Sequence, residues 1–256
     1  MLRLVVLMIM IVTVGCGTAK FGVPVRELPD SSMEREIDRA ISTKNRSRAL
    51  ELVAVVLDDV LQRGYRYDYY SRKNAFSAIL DLELTEVAEP LRKVAAVPYE
   101  PRTLPPNRDS PEARQLSHLD LLDYIALTGA LTDLTLLGDS DALTLNRLQL
   151  RTPSIRGRAA ANLKLLKAWD ATGDVRQILY RTEATEEAFL DLRSAVDFLA
   201  NSPGASEADC TLIPKFRAAY WQCFDSKLEI PGIVGCEEFV RSLRILANRF
   251  NCDRAG

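Results

Sequence analysis

The sequence predicts an all-α protein, either a helical-hairpin array or an irregular helical bundle, closed by a disulfide-stapled helical unit at its C-terminal end. Three observations predict it. Leu, Ala and Arg recur in stretches whose apolar residues fall three and four apart, the spacing of one helix face. Alternating β-branched segments are scarce. Four cysteines, Cys210, Cys223, Cys236 and Cys252, crowd the last quarter of the 256-residue chain.

The elements follow in order. Met1-Leu2-Arg3 is a short positive start, and residues 4–14, LVVLMIMIVTV, carry no charge. That is a secretory h-region, too short for a bilayer that needs about 20 apolar residues. Residues 21–29 form a tether with two prolines. Ser31-Ser32-Met33-Glu34 has the capping-box pattern and opens a helix to about Ser42. A second helix covers 47–63, with Leu50, Val53, Leu57, Val60 and Leu61 on one face and Gly64 ending it. A third fits 72–84 and a fourth 90–97. PYEPRTLPPNRDSP, residues 98–111, holds five prolines and is a linker and candidate boundary. Ser110 caps the next helix with Pro111 at its first position, and it runs to about Thr128. Shorter pieces at 130–137 and 140–150 are bounded by Gly129 and Gly138. Thr152-Pro153 opens a helix to about Ala171, ended by Gly173; a short one covers 174–180, and Thr182 caps a long one to Ala200. The cysteine region adds helices near 206–224 and 236–250, with EIPGIVG between them as a turn or short irregular strand. The chain thus divides into 1–15, 16–30, 31–97, 98–111, 112–204 and 205–256.

Two segments resemble each other. NAFSAILDLELTEVAEPLRKVA starts at Asn74 and RAAANLKLLKAWDATGDVRQIL at Arg158, about two periods of 42 apart, with LDLLDYIALTGALTDLTLL from Leu119 near the midpoint. On this spacing residues 47–200 resemble a degenerate array of HEAT-like repeats, in which each helix pair buries its apolar face on the next.

Thr13-Val14-Gly15-Cys16 resembles the lipobox of bacterial lipoproteins. Gly15 and Cys16 fit that pattern; Thr13 stands where the family usually has Leu, Val or Ile. The resemblance implies cleavage before Cys16, lipidation of its thiol and, with Gly17 rather than Asp next, sorting to the outer membrane. The rival reading cuts after Ala19, at Gly17-Thr18-Ala19, and releases a soluble protein. Either cut leaves four cysteines. In an oxidising compartment they form two disulfides, with three pairings possible.

Chemistry is sparse. His118 is the single histidine, so there is no HExxH and no histidine-carboxylate cluster; neither a metal nor a cofactor is expected. No G-x-S-x-G elbow or Gly-rich phosphate loop appears, and no catalytic residue is assigned. The carboxylate pairs Asp58-Asp59, Glu186-Glu187 and Glu237-Glu238 read as helix surfaces and first turns. A net charge of −2 gives no basic surface for nucleic acid. Phe216, Tyr220 and Phe224 share a helix face and, with Trp221, are expected to form the core of the stapled unit. The candidate partner contact is Tyr65, Arg66, Tyr67, Tyr69 and Tyr70, because Tyr and Arg supply contact area and hydrogen bonds at low entropic cost. The reading is a lipid-anchored interaction or scaffold protein of the cell envelope, bound to the membrane by lipid and to another envelope protein. An envelope glycan or peptide hydrolase, or a soluble exported small-ligand-binding protein, are the alternatives.

Overall fold

A computed structural model describes residues 25–186, 188–224 and 235–252. The signal segment, Cys16 and all of EIPGIVG but Gly235 lie outside the described residues. Within them the structure is helical, without strands. The helices are α1 (Asp30–Ser42), α2 (Arg46–Leu61), α3 (Tyr69–Asp81), α4 (Ala88–Ala95), α5 (Pro111–Leu136), α6 (Ala142–Gln149), α7 (Arg156–Leu165), α8 (Thr172–Arg181), α9 (Phe189–Asn201), α10 (Leu212–Ala219) and α11 (Cys236–Phe250). Each odd-numbered helix packs on the next odd-numbered one, from α1 through α11. The even-numbered helices complete the hairpins as a second row. Helices α2 and α4 pack together, α4 and α6 meet through Gln149, which donates to Ala95 O at 2.9 Å, and α6 and α8 stand apart across a groove.

The helix starts follow local side-chain chemistry. Asn45 caps α2 by accepting from Arg48 N at 3.1 Å, and Asp68 caps α3 by accepting from Tyr70 N at 3.0 Å. Both helices therefore begin earlier than the apolar pattern predicts. Ser110 caps α5 as expected, accepting from Ala113 N at 3.1 Å. The capping box at Ser31 does not form: α1 begins at Asp30 behind Pro29, and the Asp30 carboxylate instead accepts Asp68 N at 3.1 Å. Helix α7 is capped from outside its own segment. Its start at Arg156, not Thr152, is fixed by Asp191 of α9, whose carboxylate accepts Ser154 N at 2.8 Å and Gly157 N at 2.9 Å. A Cβ at Gly157 would lie 2.6 Å from the Asp191 backbone, so only glycine permits this approach.

The helix ends explain the recurrence. At Glu83 (φ 50°) and Lys167 (φ 53°), 84 residues apart, the chain turns left-handed after α3 and α7. Leu84 N donates to Ile79 O at 2.9 Å, and Ala168 N donates to Leu163 O at 2.9 Å. A 3-10 turn follows at the same offset, Thr85–Val87 and Trp169–Ala171, and then α4 and α8. Lys44 and Gly138 make the same kind of turn after α1 and α5. The turns are not evenly spaced, because the proline-rich segment and the unbroken α5 lengthen the middle hairpin. Gly129 does not interrupt α5. It lets Phe76 approach so closely that a Cβ would lie 2.8 Å from the ring.

Arginines fasten this turn edge. Arg46 donates to Glu83 O at 3.0 Å and to the Glu86 carboxylate at 2.6 Å. Arg92 holds Asp139 at 2.8 Å and Asp141 at 3.1 Å in the next turn. Arg147 pairs with Asp170 in the one after. Arg176 donates to Gly204 O at 2.7 Å and grips buried Asp209 at 2.7 and 2.9 Å. Each rung joins one hairpin to the turn of its successor.

Two apolar cores run along the array. The first takes residues from α1 to α6 and Ile155, and so includes both sides of the proline-rich segment; the second runs from Leu150 to Leu246. The cores therefore divide near 150–155, not at 98–111. A buried polar seam joins them: Asn162 donates to Asn146 at 3.0 Å, Asn146 to Thr135 at 3.0 Å, and Thr135 to Leu131 O at 2.7 Å. Asn146 and Thr135 each donate and accept within it, which is what makes a buried polar line tolerable.

The C-terminal unit is stapled as expected, with Cys210 bonded to Cys252 and Cys223 to Cys236. Phe216, Tyr220 and Phe239 pack with Phe189 at ring-centroid distances of 5.0–6.4 Å. Phe224 is half-buried against this core, whereas Trp221 turns outward and is 54 % exposed. The expectation for Trp221 is corrected because a 3-10 turn, Trp221–Cys223, replaces the helix there and breaks its register.

Candidate functional site

The tyrosine-rich segment lies at the opposite ends of the helices, on the loop edge. Its residues divide by environment. Tyr67 is buried at 1 % exposure, and its hydroxyl donates to Leu28 O at 3.5 Å. Arg66 donates to Leu28 O at 3.0 Å and contacts Arg26 O, so this pair ties down the segment before α1. Tyr65 is half-buried, with φ 50°. Tyr69 is half-buried and meets Tyr70 edge-on at 5.1 Å, both in the first turn of α3 rather than in a loop. Tyr70 alone of the four tyrosines is exposed, at 56 %.

Beneath them sits a charged cluster that the sequence pattern does not mark. Arg72 is 1 % exposed. It donates to Tyr67 O at 2.9 Å, Leu122 O at 3.3 Å and Asp59 Oδ2 at 3.3 Å. Burial lowers its pKa, partly offset by Asp59 and Asp123. Asp59 Oδ1 also accepts Arg66 N at 3.2 Å, and a Cβ at Gly64 would lie 2.3 Å from that oxygen. Glycine is needed at 64 for this approach; the left-handed residue ending α2 is Arg63, φ 52°. Two guanidinium groups lie over the Tyr65 ring, Arg72 at 5.5 Å and Arg102 at 5.4 Å from its centroid. Its hydroxyl donates to Asp123 at 2.9 Å; burial first, then that hydrogen bond, raises its pKa. Arg102 also pairs with Asp123 at 2.9 Å and Asp120 at 3.2 Å. Through Arg102 the proline-rich segment is clamped onto α5.

Two clefts open at this loop edge. One, of about 330 Å³, lies between α2, α4, α5 and the start of the proline-rich segment. The other, an open groove of about 970 Å³, separates α6 from α8. Arg147, Arg151, Arg156 and Arg181 line it, with Asp174 and Glu183. Arg147 and Arg156 are committed to Asp170 and Asp191, while Arg151 and Arg181 are exposed and form no ion pair among the described residues. Leu148 lies among them, 50 % exposed.

The remaining sequence candidates stay apart. His118 is exposed on α5, and nearby Asp120 is engaged by Arg102. Asp58 and Glu186 are exposed, as are Glu237 and Glu238 in the first turn of α11. Among the described residues no group of three His, Cys, Asp or Glu is placed to hold a metal ion. None of the described helices is long and apolar enough to cross a membrane.

One acid is out of place. Asp133 of α5 is 2 % exposed, and its Oδ2 has no hydrogen-bond partner among the described residues. Burial raises its pKa from 3.8 to about 8. A raised folded-state pKa means stability that is full below pH 3.8 and is lost as pH rises toward 8. Asp133→Leu should therefore raise the thermal midpoint at pH 8 by the equivalent of several kcal/mol, and by much less at pH 4, where only the neutral carboxyl is left unpaired. Melting curves of the two proteins across that range decide it, and a pH-independent difference would remove the titration account.

In comparison with known proteins, no family model matches the chain, and neither a curated protein nor a solved structure matches it. What the fold and this geometry define is an array of helical hairpins, fastened by arginines along one edge and cleft along the other.

Proposed function

We propose that the protein is a lipid-anchored interaction protein of the bacterial cell envelope. Lipid on Cys16 holds it at the outer membrane, and the helical array binds another envelope protein in support of an assembly such as a secretion, pilus or motility apparatus. The lipobox-like Thr13-Val14-Gly15-Cys16 and the HEAT-like spacing support this reading. The observation that carries it is the α6–α8 groove, where exposed Arg151 and Arg181, of a type that protein contacts favour, flank the exposed apolar side chain of Leu148. The stapled C-terminal unit covers one end of the stack, which favours binding along its length. Tyr70, the exposed member of the tyrosine cluster, is a second contact.

Two measurements test the reading. The intact mass of the mature protein from the membrane fraction should begin at Cys16 with acyl chains added; a mass beginning at Lys20 without them removes the anchor. Cross-linking in the native envelope should then recover one dominant partner. Arg151→Glu with Arg181→Glu should cut that recovery about 10-fold, and Tyr70→Ala by less, with little change in thermal stability. Undiminished recovery from both variants moves the contact elsewhere; no recovery of any partner by the anchored wild type ends the interaction reading.

A further inference from the structure

Residues 98–109 form a strap from the end of α4 to the cap of α5, with Pro98, Pro101, Pro105 and Pro106 along it. Proline fixes φ, so the strap has few conformations of its own whether it is attached or free. Its two ends are held. Gln149 donates to Val97 O at 3.3 Å, and Ser110 caps α5. Between them, every hydrogen bond and ion pair from the strap to the other described residues is made by Arg102. Arg102 N donates to both Asp120 carboxylate oxygens, at 3.0 and 3.2 Å. Its guanidinium donates to Asp120 at 3.2 Å and to the Tyr65 hydroxyl, and pairs with Asp123 at 2.9 Å. Tyr99 adds apolar packing on the first core, its ring edge-on to Tyr124 at 6.4 Å. The strap also shapes the smaller cleft. Tyr99, Glu100 and Arg102 supply much of the polar lining, whereas Val60, Val94 and Leu127 wall it from the helices behind.

We propose that residues 98–109 are a hinged cover for this cleft, with Arg102 as its latch. When Arg102 leaves Asp120 and Asp123, the strap swings about its two held ends and takes Tyr99 and Glu100 with it. The apolar walls of α2, α4 and α5 then face solvent. Arg102, Asp120 and Asp123 are half-buried, so salt reaches the latch, and rising ionic strength loosens it. The entropy gained on release is small because the prolines already restrict the free strap, so the cover opens as one stiff piece. The device rests neither on the lipid anchor nor on the proposed protein partner.

The test is limited digestion of the full chain with chymotrypsin, which cuts after tyrosine. The cut after Tyr99 requires its ring to leave Tyr124, so its rate reads the open strap. In the wild type that rate should rise several-fold between about 50 mM and about 1 M NaCl. At the lower salt Arg102→Gln should be cut there about 10-fold faster than wild type, and should lose most of the salt dependence. Arg102→Lys keeps the charge without the planar fork and should fall between the two. Nile red, a dye that brightens on apolar surface, should fluoresce more with Arg102→Gln. The cut after Phe198, fully buried in α9, should stay as slow as in the wild type. Equal rates after Tyr99 in wild type and Arg102→Gln overturn the latch. Equal acceleration after Phe198 overturns a local opening, and unchanged Nile red fluorescence overturns the baring of the cleft.

Discussion

Arg72→Met should lower the stability of the chain by about 3–5 kcal/mol, one of the largest effects of any single side chain outside the cysteines. The guanidinium is 1 % exposed and serves three buried acceptors: Tyr67 O, Leu122 O and Asp59. Methionine fills much of the volume but leaves Tyr67 O and Asp59 Oδ2 in the interior without the Arg72 donor, while Leu122 O keeps its bond within α5. The damage spreads along named contacts. Asp59 loses its cation, Tyr65 loses one of its two flanking guanidiniums, and the clamp of Arg102 on α5 is left to hold the proline-rich segment alone. A midpoint lowered by roughly 10 °C is the corresponding thermal result. Asp59→Leu in the same chain should recover part of it, because an unpaired buried carboxylate costs more than an apolar side chain. Additive losses in the double variant would mean that the two residues do not act as a pair.

Removing the Cys210–Cys252 bridge should cost about 4 kcal/mol, and removing Cys223–Cys236 about 3. The difference comes from loop length, 42 residues of separation against 13, because the longer closure removes more freedom from the unfolded chain. The longer bridge also joins the 3-10 turn Glu207–Thr211 to the end of α11, and Asp209 in that turn is the anchor of Arg176. Without the bridge, the last rung of the arginine edge loses its support. Melting curves of Cys210→Ser with Cys252→Ser, beside Cys223→Ser with Cys236→Ser, measure both losses. A larger loss from the shorter bridge would show that packing in the unit, not chain closure, sets the value.

The helices were legible from apolar spacing, and the 84-residue recurrence was legible before the turns that cause it were seen. Some helix ends were legible as well: α1 ends at Ser42, α11 spans 236–250, and Gly138 is the left-handed stop after α5. Others were not, because the left-handed position is filled by Lys44, Arg63, Glu83 and Lys167, which carry no such signal. Gly64, Gly129 and Gly157 instead serve close approach, to Asp59, Phe76 and Asp191. The cap of α7 was beyond reach for a different reason: Asp191 is distant in sequence, and only tertiary packing brings it to Gly157. The tyrosine cluster drew notice by composition, yet composition cannot separate Tyr67, buried at 1 %, from Tyr70, exposed at 56 %. Arg72 and Asp133 were invisible, since each is an ordinary charged residue until the fold buries it.

The arginine rungs sit at one edge only. Arg46, Arg92, Arg147 and Arg176 fasten the short turns, while both clefts open where the longer connections run. The molecule is therefore built like a bound book, with a sewn spine and an uncut fore-edge. At the fore-edge the even-numbered helices are held by single side chains, Gln149 between α6 and α4 and Lys215 between α10 and α8, whereas opening the spine must break charged pairs at Asp139, Asp170 and Asp209 in succession.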